Sequence, residues 1–298
     1  MKILLFGCNG QVGWELQRSL AVLGEVVALD FDSTDLRADF SRPDELAGTV
    51  RAVRPDVIVN AAAHTAVDKA EAEPALARTL NAEAPAALAR EAAASNAWLV
   101  HYSTDYVFDG GGERPWKEDD PTIPLSVYGR TKLEGEQGVR AAGCNHLILR
   151  TSWVYSARGG NFARTMLKLA AEREQLNVVA DQVGAPTGAD LLADVTAHAL
   201  RSALEQPTLA GTYHAVAAGE TSWHGYAQSV IEWARTHDVP VRVSAEHVTP
   251  VPSTAYPTAA RRPLNSRLDT QRLQRTFGLT VPPWQAGVVR MLAEVHGR

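Results

Sequence analysis

Lys2-Ile3-Leu4-Leu5-Phe6-Gly7-Cys8-Asn9-Gly10-Gln11-Val12-Gly13 is the stretch on which the fold turns. Four consecutive apolar residues ending at a glycine read as a strand buried on both faces, as in a parallel sheet covered by helices. The glycines recur as G-x-x-G-x-x-G, and an amphipathic helical pattern over residues 11–23 follows at once. Glycine in that turn lets backbone approach a pyrophosphate, which then sits on the N-terminus of the helix. A second strand pattern over residues 25–30 ends in Asp30, the place for an acid that binds adenosine ribose hydroxyls. Strand, glycine loop, helix and acid together predict a dinucleotide site. Asp30 repels a 2′-phosphate and so favours NADH, whereas Arg37 nearby suits NADPH; both cofactors stay open.

Beyond this unit the alternation continues. Residues 43–53 read as a helix opened by Pro43, 56–60 as a third strand, and 74–94 as an alanine-rich helix. Residues 98–103 form a fourth strand, 126–142 a helix and 146–150 a fifth strand. Strands alternating with helices predict an α/β, Rossmann-type, doubly wound parallel sheet. After about residue 151 the rhythm changes, with helical patterns at 161–174, 189–204, 223–235 and 284–295 and a polar, proline-rich run at 249–263. The expected division is a dinucleotide-binding domain over 1–150 and a smaller α/β substrate domain over 151–298. Residues 176–180 and 212–215 are candidates to return as strands of the main sheet.

Composition narrows the class. The chain has 298 residues, 45% of them hydrophobic and 21% charged, ample for a sizeable core. A net charge of -5 argues against a nucleic-acid surface, which needs a basic excess. No apolar run reaches the roughly 18 residues of a membrane span, and the apolar start is too short for a signal peptide. Two cysteines, Cys8 and Cys144, make no disulfide framework and suit the cytoplasm.

Chemistry is carried by Tyr128-Gly129-Arg130-Thr131-Lys132, read as the first turns of a helix. Positions four apart share a helix face, which sets the Tyr128 phenol beside the Lys132 ammonium. A positive charge there is expected to lower the phenol's pKa and fit it for general acid–base work. Ser103-Thr104 ends the fourth strand, where the Thr104 hydroxyl faces the cleft and can hydrogen-bond a substrate carbonyl. Asn60-Ala61-Ala62-Ala63-His64-Thr65 follows the third strand, with small side chains that let backbone run along the cofactor. Asn81 reads equally well as a polar contact toward the sheet, as core or as solvent-facing.

Taken together, the glycine loop, the segment from Asn60, the Ser103-Thr104 strand end and the Tyr128/Lys132 pair resemble the extended short-chain dehydrogenase/reductase family. The likeness tightens to its dTDP-4-dehydrorhamnose reductase branch through residues 63–71, 103–108, 150–155, 181–187 and 262–268. It implies reduction of the C4 ketone of a dTDP-sugar, dTDP-4-dehydro-L-rhamnose, with NADPH or NADH. Tyr128 would then protonate the developing alkoxide, Lys132 would tune the phenol and hold the nicotinamide ribose, and Thr104 would bind the ketone oxygen. Substrate contacts fall to Thr104, Asp105, Tyr128 and Trp153. Cofactor contacts fall to Gly7, Gly10, Gln11, Val12, Gly13, Asp30, Asp39, Phe40, Ala62, Ala63, His64, Thr65, Tyr102, Tyr128 and Lys132. Some members of the branch form a homodimer through Mg²⁺, and Glu15, Asp190 and Glu294 occupy the matching places; Asp190 is a methylene shorter than the glutamate expected there.

Two other readings compete. A sugar-nucleotide epimerase or dehydratase shares the scaffold, but a dehydratase usually places an Asp-Glu pair after the threonine, and Thr104 is followed by Asp105-Tyr106. A non-catalytic NADP-binding regulatory subunit has no physical need of the Tyr128/Lys132 pair.

Overall fold

The computed structural model describes residues 1–297. Its centre is a parallel six-stranded sheet. The strands are β1 (Lys2–Phe6), β2 (Glu25–Leu29), β3 (Val57–Asn60), β4 (Trp98–Thr104), β5 (His146–Thr151) and β6 (Gly211–His214). The spatial order is 2-1-3-4-5-6, so the order reverses beside β1. In open sheets of this kind ligands bind at such a reversal, beyond the carboxyl ends of the strands.

Alternation along each strand assigns the two faces of the sheet. Ile3, Leu5, Val57, Val59, Val100, Leu147 and Leu149 face α1 (Gln11–Ala21) and a later helix, Ala189–Glu205. Leu4, Phe6, Ile58, Leu99 and Ile148 face α2 (Pro43–Val53) and α3 (Ala84–Ser95). Both faces are therefore dry, which is why these strands read as nearly continuous apolar runs. The helix Val127–Ala141 (α4) lies on the same side as α3.

The alanine-rich stretch is not one helix. A π-helical turn at Thr79–Glu83 separates Pro74–Arg78 from α3. That turn carries Asn81, fully buried, whose Oδ1 accepts the His64 N–H at 2.8 Å while Nδ2 donates to His64 O at 3.1 Å. Single π turns occur where a helix is interrupted for a local purpose. Here the purpose is to clamp the segment that follows β3.

A second apolar cluster lies beyond the carboxyl ends of the strands. It joins the helices Phe162–Glu172, Trp223–Thr236 and Trp284–Val295 around Tyr155, Tyr226, Val230, Trp233 and Trp284. The strand Leu176–Val179 contributes Leu176 and Val178 to this cluster and pairs in parallel with Val248–Val251, not with the main sheet. The place they would have taken beside β5 is filled by β6, where Gly211 to His214 run opposite Leu147 to Arg150. Among the described residues no helix is long and apolar enough to cross a membrane. Cys8 and Cys144 are both free thiols.

Candidate active site

A cleft of about 710 Å³ opens over the carboxyl ends of the strands, between the sheet and the second cluster. Its floor at one end is the glycine loop. Gly7 has a φ of +81°, and a Cβ there would lie 2.7 Å from the Ala62 nitrogen, so only glycine lets the first loop pass the segment after β3. A Cβ on Gly13 would meet Gly7 O at 2.0 Å, so this glycine seats α1 against the loop and is not part of the cleft lining. Gly10 caps α1 with no side-chain hydrogen bond, which leaves the first N–H groups of the helix open to an anion. This bare helix start and the crowded glycines fit a dinucleotide pyrophosphate.

Of the residues that the resemblance assigns to the cofactor, Gly7, Gly10, Gln11, Val12, Asp30, Asp39, Phe40, Ala62, Ala63, Thr65 and Tyr102 line the cleft. His64 does not. Its side chain is buried, its backbone is held by Asn81, and its Nε2 lies 3.7 Å from Glu73 Oε2. Asp30 also ties the end of β2 to the glycine loop, its Oδ2 accepting the Asn9 N–H at 2.8 Å and its Oδ1 the Phe31 N–H at 2.8 Å. Asp39 is held below the usual carboxylate range by hydrogen bonds from Ser41.

At the other end of the cleft stand Thr104, Asp105, Tyr128, Lys132 and Trp153. Helix α4 starts there because Ser126 caps it, its Oγ accepting the Gly129 N–H at 3.1 Å. Gly129 lets the helix close on the turn that follows β4, since a Cβ would lie 2.2 Å from Tyr106 O. Tyr128 then packs edge-on against Tyr106, ring centroids 5.4 Å apart. Burial pushes the Tyr128 phenol up to about 12, the Thr104 hydroxyl pulls it down, and Asp105 raises it.

This corrects the expected electrostatics. Lys132 does not draw the phenol toward ionisation here. Its Nζ donates to Tyr102 O at 2.6 Å, and burial brings the lysine itself down to about 8 against the opposing pull of Glu136. The phenol is thus a protonated donor at neutral pH, which is the form a reduction requires. Below the lysine, the buried Glu136 forms a two-pronged pair with the equally buried Arg150, at 2.8 and 2.7 Å. These two charges satisfy one another, as a buried pair must.

Asp105 is buried at 2% exposure and has one oxygen, Oδ2, with no partner. Burial pushes its carboxyl up to about 6, with hydrogen bonds from Ser266 and Thr104 working against this. Asp105 lines the cleft, and an unpaired buried acceptor there suits a ligand hydroxyl. Trp153 holds a left-handed φ of +48° and stacks on Trp223 with centroids 3.6 Å apart. For a residue with a Cβ that backbone costs about 1–2 kcal/mol, so the stack is held by its surroundings. Gly184 makes room for it: a Cβ there would lie 2.9 Å from Trp153 Cε2. Trp223 was not foreseen from the sequence. Its one local signal is position, directly after the capping Ser222 at the start of its helix.

The proposed metal ligands are not brought together. Asp190 is engaged by its neighbour's N–H at 2.9 Å and by Arg290 at 3.0 Å, Glu15 lies 3.6 Å from Arg18, and Glu294 is exposed on the last helix. No group of three His, Cys, Asp or Glu suited to a metal ion occurs among the described residues. Arg18 and Arg290 partner Glu15 and Asp190, and no third acid joins them among the described residues, so the residues do not fit Mg²⁺.

The chain matches the model of the RmlD substrate binding domain family over residues 1–296. It is 58% identical over 295 residues to a dTDP-4-dehydrorhamnose reductase of Escherichia coli K12, covering 99% of this chain and 98% of the relative. Among solved structures it is similar to a dTDP-4-dehydrorhamnose reductase from Clostridium acetobutylicum, with TM-score 0.88, 36% identity and coverage of 99% and 100%. A dTDP-4-dehydrorhamnose reductase from Bacillus anthracis in complex with NADP gives TM-score 0.87 and 33% identity, with 98% and 99% covered. Family model, relatives and site geometry agree along nearly the whole length, and the chain belongs to the dTDP-4-dehydrorhamnose reductase family.

Proposed function

We propose that this chain reduces the C4 ketone of dTDP-4-dehydro-L-rhamnose to dTDP-L-rhamnose at the expense of NADPH or NADH. The observation that carries this is the union, in one cleft, of a glycine-loop helix start with a buried tyrosine kept protonated beside Thr104 and Asp105. When bound, the reduced dinucleotide supplies the hydride. Gly7, Gly10 and the open N-terminus of α1 hold its pyrophosphate, and Asp30 and Lys132 take its two riboses.

Tyr128 is placed to give its phenolic proton to the oxygen at C4 as charge develops there. Thr104 orients that oxygen and the phenol together. Asp105 Oδ2 accepts a sugar hydroxyl, which satisfies an oxygen of its carboxyl left without a partner. The stacked Trp153 and Trp223 wall the sugar off from water. Trp223 also borders a second cavity, of about 840 Å³, lined by Asp109, Tyr256, Arg261 and Leu264, which gives the nucleotide end of the substrate a place adjoining the sugar site.

The direct test is oxidation of NADPH by the purified protein with enzymatically prepared dTDP-4-dehydro-L-rhamnose, and formation of dTDP-L-rhamnose in equal amount. No oxidation above the rate without sugar nucleotide would refute the reading.

A further inference from the structure

One buried group beside the site is used by nothing described so far. His101 lies in the middle of β4, fully buried, outside the lining of the cleft. It sits opposite Asn60 of β3, and Asn60 Nδ2 is 3.1 Å from His101 Nδ1. Its other nitrogen, Nε2, is 3.5 Å from Lys132 Nζ.

The donors and acceptors of this chain can be assigned from its far end. Asn60 Oδ1 accepts the Ala62 N–H at 3.0 Å, which fixes the amide so that Nδ2, a donor, faces the imidazole. His101 Nδ1 must then accept. Burial, the Lys132 charge and His146 all keep the ring neutral. A neutral imidazole that accepts at Nδ1 carries its one hydrogen on Nε2. That hydrogen points at the lysine nitrogen. An amine can receive it; an ammonium, all donors, cannot.

We propose that His101 is a positioning residue that sets the proton affinity of Lys132, its Nε2–H opposing the ammonium form, and thereby sets the alkaline limit of the reaction. The proposal rests on the reductase reading above, in which Lys132 works as an ammonium beside the nicotinamide ribose. The titratable groups around the contact are Tyr128 and Glu136 on α4, His101 on β4 and, on β5, His146, which lies opposite Leu99 and bears on His101 through its charge. Of these Glu136 favours the ammonium and is itself tied to Arg150. Burial already lowers the lysine, and the imidazole N–H acts in the same direction.

Two variants and one measurement on the unaltered protein test this. His101→Leu removes the opposing hydrogen, so Lys132 should hold its proton to higher pH and the alkaline limb of kcat should move up by about one unit. Asn60→Asp keeps the shape but turns the donor facing Nδ1 into an acceptor. The hydrogen then moves to Nδ1, Nε2 becomes an acceptor for the ammonium, and the limb should move up at least as far. Titration of Lys132 by ¹³Cε NMR in the ligand-free protein should show the same upward shifts, whatever the substrate proves to be. In the unaltered protein, ¹⁵N correlation spectra should show His101 with hydrogen on Nε2. Hydrogen on Nδ1, or a Lys132 titration unmoved in either folded variant, would overturn the proposal. If His101→Leu does not fold, Asn60→Asp and the tautomer decide. Failure to turn over the 4-ketosugar would strike the reductase reading but leave the two NMR results standing.

Discussion

Replacing Asp105 by asparagine should make the ligand-free protein more stable and the enzyme worse. The carboxyl is raised from 3.8 to about 6, chiefly by burial. At roughly 1.4 kcal/mol per unit this is a penalty of about 3 kcal/mol on the ionised form. Folding raises the pKa of this acid, so the native state holds the proton more tightly than the unfolded chain. The wild type therefore loses stability as pH rises between about 4 and about 6, and the whole penalty is present above that. Asparagine does not titrate. It also gives up part of the hydrogen bonds that a carboxylate draws from Thr104 and Ser266, worth about 1 kcal/mol. The net gain at neutral pH is then about 1–2 kcal/mol, and it should vanish near pH 4. Urea unfolding of both proteins at about pH 4.5 and about pH 7.5 reads this directly. Loss of the unpaired acceptor Oδ2 should at the same time lower kcat/KM by about 10- to 100-fold, mostly through KM. Equal stability of the two proteins at both pH values, or full activity in Asp105→Asn, would refute the assignment of a strained carboxyl kept for substrate.

The other predictions follow from contacts at the two ends of the cleft. Gly184→Ala pushes a Cβ into the Trp153 indole, so kcat/KM for the sugar nucleotide should fall by about 10-fold, with NADPH affinity retained in a fluorescence titration. Asp30→Ala should raise KM for NADH more than for NADPH, because the lost ribose contact is shared and the repulsion of a 2′-phosphate is relieved; equal effects would leave Asp30 as the tie between β2 and the glycine loop alone. Lys132→Met should weaken NADPH binding and turnover with it, since the ammonium serves the nicotinamide ribose; stopped-flow binding and steady-state rates separate the two.

What could be read from the sequence was local. The strand, loop and helix from Lys2 to Ala21 state their own geometry, because glycine freedom and apolar alternation act over a few residues. Tyr128 and Lys132 share a helix face by spacing alone. Their electrostatics were not local: burial is the largest influence on both groups and reverses the expected sign for the phenol. Partner choice among surface charges was equally out of reach, since Arg18 and Arg290 claim Glu15 and Asp190, two of the three acids proposed for a metal. Leu176–Val179 has the pattern of a strand but nothing in it names its neighbour, which comes from Val248–Val251. Trp223 reaches the site from a distant helix, by way of a stack that only the folded chain creates.

The most direct test of the account is the rate of hydride transfer in Tyr128→Phe, measured by single-turnover oxidation of bound NADPH with dTDP-4-dehydro-L-rhamnose. Removing the phenolic proton while keeping the ring should leave NADPH binding intact and slow the transfer by on the order of 100-fold or more. Near-native transfer in Tyr128→Phe would contradict the central claim that this tyrosine donates the proton.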